Sequence, residues 1–179
     1  MYNWIMSMLT EEIINIINTL KDEDVAVRQR YMKRVQEGLL TRDENSATHF
    51  CVYFLPFNPA TKQVFLVHHK KANKWISPGG HIDKGESLII ALNREISEEL
   101  GVKDFFSETP TPFLLTITHI NEKISCKEHL DIWFILKTDG SNFKVDPQEF
   151  YNTGWFSLTE AKQIIVDNAN SKAILSLSE

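Results

Sequence analysis

The chain has 179 residues, about one domain at roughly 150 residues each. It carries 19 Lys+Arg against 24 Asp+Glu for a net charge of −5, and its 42% hydrophobic and 24% charged content is ordinary for a globular protein. These figures exclude a disordered chain, a fibre and a disulfide-stapled mini-protein, and they argue against a dedicated nucleic-acid binder, which would need a net basic face. An acidic protein that handles anions must therefore supply positive charge locally.

Residues 1 to about 45 are predicted to be a helical extension. The stretch Met1 to Leu9 is apolar but too short for a membrane span, and no basic residue precedes it, so a cytoplasmic protein is expected. Thr10 reads as an N-cap, with Glu11 and Glu12 in the first turn and an apolar stripe of Ile13, Ile14, Ile16, Ile17 and Leu20. A second helix is expected from near Asp22 or Asp24, carrying Val27, Tyr31, Val35 and Leu39. Together they suggest a hairpin that packs on the main domain or supports a homodimer.

The texture changes at Thr48, and residues 46 to 179 are predicted as one domain. His49–Leu55 and Val64–His69 read as strands of a hairpin around a loop at Pro56–Thr61. Pro78-Gly79-Gly80 reads as a tight turn, and Leu88–Leu100 as a helix. Strands are expected at Thr111–Ile120 and Leu130–Lys137 around a polar loop from Asn121 to Glu128. A last strand should hold Trp155 and Phe156, before a helix capped by Ser157 or Thr159 and running to about Asn168. This order predicts an α/β protein with a mixed sheet covered on both faces. Cys51 and Cys126 have no metal-ligand spacing around them and read as reduced thiols in or near the core.

The chemistry is concentrated between Gly80 and Val102. Glu95, Glu98 and Glu99 stand at i, i+3 and i+4, so three carboxylates share one helix face, where like charges repel. Such an oxygen cluster suits Mg²⁺ or Mn²⁺. Gly101 fits the left-handed position after a helix, with Val102 as its apolar contact. Leu88, Leu92, Ile96 and Leu100 anchor the helix to a core. Glu86, in the preceding loop, is placed to pair with Arg94.

This segment resembles the signature of the Nudix hydrolases, Gly-x5-Glu-x7-Arg-Glu-U-x-Glu-Glu-x-Gly-U with U aliphatic. It matches at Gly80, Glu86, Arg94, Glu95, Ile96, Glu98, Glu99, Gly101 and Val102. Trp75-x-x-Pro78-Gly79-Gly80 also looks like that family. The helical extension followed by Thr41-Arg42-Asp43 resembles one branch of small bacterial Nudix proteins. The resemblance implies a Nudix-type α/β/α sandwich and hydrolysis of a nucleoside diphosphate linked to another moiety, with Mg²⁺ or Mn²⁺. It implies metal binding by Glu95, Glu98, Glu99 and the Gly79 carbonyl, and an ion pair of Arg94 with Glu86 that positions the loop and Glu95. Glu149, six residues before Trp155, resembles the loop base of some relatives.

Positive charge comes from Lys62, Lys70, Lys71 and Lys74, with no acid between residues 61 and 75. Lys70 or Lys71 is expected to steer a phosphate. His119 and His129 flank the polar loop and are candidate substrate contacts, with Asp131 placed to orient His129. Trp75 reads as packing under the turn rather than stacking on a base. The expected partner is a small nucleoside diphosphate derivative, with no membrane and no stable nucleic-acid partner. The competing readings are an isoprenoid diphosphate isomerase-like activity and a catalytically silent nucleotide sensor or partner-binding module.

Overall fold

Alternation along the first long strand sets the layering of the molecule. The computed structural model describes residues 7–20, 24–120 and 125–177. In it, strand β1 (Thr48–Asn58) places Phe50, Val52 and Phe54 on one face, and His49, Cys51 and Tyr53 on the other. β1 pairs in parallel with β6 (Glu128–Lys137), with His49 opposite His129, Cys51 opposite Asp131 and Tyr53 opposite Trp133. The remaining strands are β2 (Gln63–His69), β3 (Lys74–Ile76), β4 (Gly79–His81), β5 (Leu114–His119) and β7 (Phe150–Ser157). Among the described residues they complete a seven-stranded mixed sheet in the order β3-β2-β1-β6-β5, with β4 beside β1 and β7 beside β2.

Three helices cover the face of Phe50, Val52 and Phe54: α1 (Met8–Thr19), α2 (Val25–Glu37) and α3 (Leu88–Leu100). Ile13, Ile17 and Tyr31 from α1 and α2 join Leu88, Leu92 and Ile96 from α3 in one buried cluster with the sheet. Each such side chain, once buried, stabilises the fold by about 1.5–3 kcal/mol. Tyr31 also donates from its hydroxyl to the carbonyl oxygens of Thr116 and Asp131, at 2.9 and 2.6 Å, and so ties α2 to β5 and β6. The opposite face is covered by α4 (Leu158–Ile164) and α5 (Asn168–Ser176). There Ala161 and Ile174 pack on Leu55 and Leu66, and Ala169 and Ala173 pack on Trp133.

The expected helix at Leu88–Leu100 forms with those limits, and Gly101 ends it in the left-handed region at φ 69°. Several expectations are corrected. Ser7, not Thr10, caps α1, because Leu9 belongs to the buried stripe and the helix must begin early enough to include it. Pro78-Gly79-Gly80 is not a tight turn: Gly79–His81 form β4, filling the flank of β1 that β2 leaves open beside Cys51–Tyr53. β1 continues through Pro56 to Asn58 instead of ending in a loop at Pro56. Ser157 caps α4 with a capping box to Glu160, but the chain then turns into a second helix, α5, that was not expected. The apolar residues before Ser7, the helix start at Asp22 and residues 121–124 of the polar loop lie outside the described residues.

Candidate active site

Helix α3 presents Arg94, Glu95, Glu98 and Glu99 from its second half. Its N-cap, Ser87, makes no side-chain capping bond. Instead the Leu88 amide donates to Glu12 Oε2 of α1 at 3.0 Å, so a carboxylate from another helix meets the positive end of α3.

Arg94 is the hub. Its Nε and Nη2 donate to the two oxygens of Glu86 at 2.7 and 2.9 Å. Nη2 also reaches the His81 carbonyl at 2.8 Å, and Nη1 reaches Glu95 Oε1 at 2.7 Å and Glu98 Oε2 at 3.2 Å. One guanidinium thus binds the loop, β4 and two helix carboxylates. Burial works against the Glu86 carboxylate, but hydrogen bonds from Arg94 and from the Asp83 amide hold its pKa below the usual range.

The three glutamates differ. Glu98 is exposed, whereas Glu95 and Glu99 are buried. Burial pushes Glu95 up to about 7, against the pull of Arg94. Glu99 is pushed well above the carboxylate range by burial and then by the charge of Glu95, opposed by a hydrogen bond from the Gly79 amide at 2.7 Å. The glycines of β4 admit this packing. A Cβ on Gly80 would stand 2.4 Å from Glu95 Oε1, and one on Gly79, at φ +141°, would stand 2.4 Å from the Val52 carbonyl oxygen. Two adjacent buried carboxylates with an exposed third, all oxygen donors, fit a hard divalent cation that would offset their mutual repulsion.

The other candidates lie around this group. Glu149 ends the turn before β7, and its charge raises the Glu99 pKa further, so it is electrostatically in reach of the cluster. Lys70 donates from Nζ to the Pro147 carbonyl at 2.7 Å, and its amide donates to the Glu149 carbonyl, which ties it to that same turn. Lys71 is exposed. His119 is exposed, with Nδ1 3.9 Å from Glu128 Oε1. Trp75 packs as expected, stacked on His68 and edge-on to Phe156. Asp131 does not orient His129: its Oδ2 accepts from the hydroxyls of Thr116 and Thr118, at 3.0 and 2.6 Å. Burial pushes Asp131 up to about 7.

Tyr53, the register partner of Gly79, lines a cavity of about 280 Å³ together with Lys74, His129, Trp133, Asp167 and Asn170. Asp167 and Asn170 come from the unexpected α5. The available signal was Asp167 itself, an N-cap whose Oδ1 accepts from the Asn170 amide at 2.9 Å. His129 also joins His49 and His81 in a group of imidazoles on the sheet. Burial, reinforced by the neighbouring imidazoles, lowers His81 to about 3 and His129 to about 4.

A family model described as the NUDIX domain matches residues 47–177. The chain is 29% identical over 119 residues to the RNA pyrophosphohydrolase of Ruthia magnifica, covering 59% of this chain and 66% of that protein. It is 31% identical over 81 residues to the 8-oxo-(d)GTP phosphatase of Mycolicibacterium smegmatis, covering 44% and 23%. The chain thus spans just under two thirds of the first relative's length and about a quarter of the second's. Among solved structures, a NUDIX-family hydrolase from Clostridium perfringens shares the fold with a TM-score of 0.56 at 23% identity, over 73% of this chain and 96% of that one. A MutT protein from Methanosarcina mazei Go1 does so with 0.56 at 22%, over 74% and 94%.

Proposed function

The chain belongs to the NUDIX family, and from that membership we propose that it is a Mg²⁺- or Mn²⁺-dependent hydrolase of a diphosphate linkage in a nucleoside diphosphate derivative. Glu95, Glu98, Glu99 and the Gly79 carbonyl hold the cation. When bound, it supplies Lewis-acid charge that offsets the phosphate oxygens and favours attack by water near neutral pH. The observation that supports this reading most is the pair of buried carboxylates, Glu95 and Glu99, under a glycine strand with no room for side chains.

The chain's own groups divide the work. Arg94 and Glu86 are positioning residues: they hold the loop against α3 and aim Glu95. Glu149, the candidate base, takes a proton from the attacking water. The water oxygen then bonds to phosphorus as the anhydride P–O bond breaks. Lys70, Lys71 and His119 flank the approach and contact the substrate, whose nucleoside enters the cavity lined by Tyr53, Trp133 and Asn170. One relative is named an RNA pyrophosphohydrolase and the other an 8-oxo-(d)GTP phosphatase, which supports hydrolysis at phosphorus as the reaction class.

A panel of nucleoside diphosphate derivatives and triphosphates, assayed with Mg²⁺ and Mn²⁺ and read by product identity in ¹⁸O-water, tests the proposal. Cleavage with label on a phosphate product is expected, abolished by Glu98→Gln and Glu99→Gln. Turnover undiminished in those variants overturns the metal assignment, and no turnover across the panel favours a silent nucleotide sensor.

A further inference from the structure

Three imidazoles meet on the sheet face that points away from α3, and the proposed hydrolysis does not use them as a group. His49 and Cys51 share this face of β1; His129 stands opposite His49 on β6, and His81 opposite Cys51 on β4. The ring centroids form a nearly equilateral triangle, with sides of 4.8, 5.1 and 5.0 Å. Ligand atoms of His49, Cys51, His81 and His129 all lie within 4.8 Å of one another. Cys126, from the segment leading into β6, adds a second sulfur from the mouth of the recess. Its Sγ is 3.0 Å from His129 Nε2 and 3.9 Å from His49 Nε2.

The chemistry of these donors selects a ligand. His49 Nδ1 lies 2.9 Å from the Asn45 carbonyl oxygen. A carbonyl only accepts, so Nδ1 carries the hydrogen and Nε2 turns its lone pair toward the cluster. An outer carbonyl fixes the tautomer of metal-bound histidines in the same way. A tetrahedral ion with nitrogen at about 2.0–2.1 Å and sulfur at about 2.3 Å sets its donors about 3.3–3.6 Å apart. His81 Nε2 and His129 Nε2 are 3.3 Å apart, and the two Cys126 distances of 3.0 and 3.9 Å bracket that range. The side chains whose ligand atoms come within 4.8 Å of one another include no carboxylate, so the set does not suit Mg²⁺ or Ca²⁺. Arg42 lines the same recess. A dication held by neutral imidazoles alone would meet that positive charge, and an anionic sulfur offsets it.

We propose that His49, His81, His129 and the thiolate of Cys126 form a site for a borderline-soft transition ion of the Zn²⁺ type, separate from the carboxylate site on α3. Binding releases the Cys126 thiol proton to solvent. Cys51, fully buried on β1 with its sulfur within 4.8 Å of all three histidines, is the rival sulfur donor, and the site as proposed takes Cys126 in its place. The ion ties β4 to β1 and β6 through His81, two residues from Gly79, while Gly80 faces Glu95 on the other side of the strand.

The full chain, stripped with a chelator, is titrated with Co²⁺ and then Zn²⁺ in excess Mg²⁺. One equivalent of Co²⁺ is expected, with the strong visible bands of a four-coordinate ion and a near-ultraviolet sulfur-to-cobalt band, both removed by Zn²⁺. Cys126→Ser should lose the sulfur band and Cys51→Ser should keep it. His49→Ala and His81→Ala should weaken Zn²⁺ binding by about 100-fold or more, and Glu98→Gln should not. Should the histidine variants misfold, a rise in the wild-type thermal midpoint with Zn²⁺ in excess Mg²⁺ is the equivalent readout. The assignment is overturned by a weak six-coordinate spectrum, by loss of the sulfur band in Cys51→Ser, by binding that survives the histidine changes or vanishes in Glu98→Gln, or by no thermal shift.

Discussion

Arg94 grips Glu86 with both prongs of its guanidinium, Nε and Nη2 each taking one carboxylate oxygen. The same side chain reaches His81, Glu95 and Glu98, so it sets the position of the loop relative to the helix. A lysine keeps the charge and loses the planar fork. Arg94→Lys is therefore expected to lower kcat/KM about 10- to 100-fold, the equivalent of one charged hydrogen bond at about 1.5–3 kcal/mol. Steady-state kinetics beside an unchanged circular dichroism spectrum would check it; wild-type kinetics would remove Arg94 from its positioning role.

Gly80 and Gly85 make a matched pair. A Cβ at Gly80 would meet Glu95, whereas one at Gly85, at φ +89°, meets nothing within 4 Å. Gly80→Ala should displace Glu95, the proposed metal ligand, and lower activity and Mg²⁺ affinity together. Gly85→Ala should cost about 1–2 kcal/mol of stability through left-handed strain, with kcat retained. Parallel urea titrations and Mg²⁺-dependent assays distinguish the two effects, and equal loss of activity in both variants would contradict this account.

The Glu86 carboxyl titrates below its unfolded value of about 4.3. On acidification the unfolded chain takes up that proton first, so the ion pair's contribution is complete above the unfolded pKa and fades as pH falls through the lower folded value. The stability gap between wild type and Glu86→Gln should be constant from about pH 7 to 5 and should narrow below about pH 4. Urea midpoints across that range measure it, and a gap that widens in acid would reverse the sign.

Tyr31 binds α2 to the sheet through one buried hydroxyl shared between two carbonyls. Tyr31→Phe keeps the ring packed against Phe50 and removes that link. A loss of about 1–2 kcal/mol in equilibrium unfolding is expected, with the α-helical signal preserved.

What could be read from the sequence was what local spacing encodes. The α3 limits, its Gly101 cap, the shared carboxylate face and the Glu86–Arg94 pair depend on residues within one helix and its preceding loop. Strand limits depended on partners instead: Gly79-Gly80 has the composition of a turn, yet it pairs as β4 because β1 leaves a flank open there. Helix α5 escaped because Asn168–Ser176 carries a weak apolar stripe built mostly on alanines. The imidazole group was invisible for a different reason. His49, His81, Cys126 and His129 come from three strands and a loop, and it takes the parallel pairing of β1 with β6 and the antiparallel pairing of β1 with β4 to gather them. Asp131 shares a face with His129, as alternation requires, but its Oδ2 is taken by the threonines across the β5–β6 ladder.

Glu12 on α1 accepts the Leu88 amide that opens α3. The signature helix therefore starts on a contact spelled out 76 residues upstream, outside the motif that identifies it. Its portability is limited accordingly: residues 80–102 grafted into a foreign scaffold would keep their carboxylates and lose the group that seats their first turn. In this chain the N-terminal helix and the signature travel as one part.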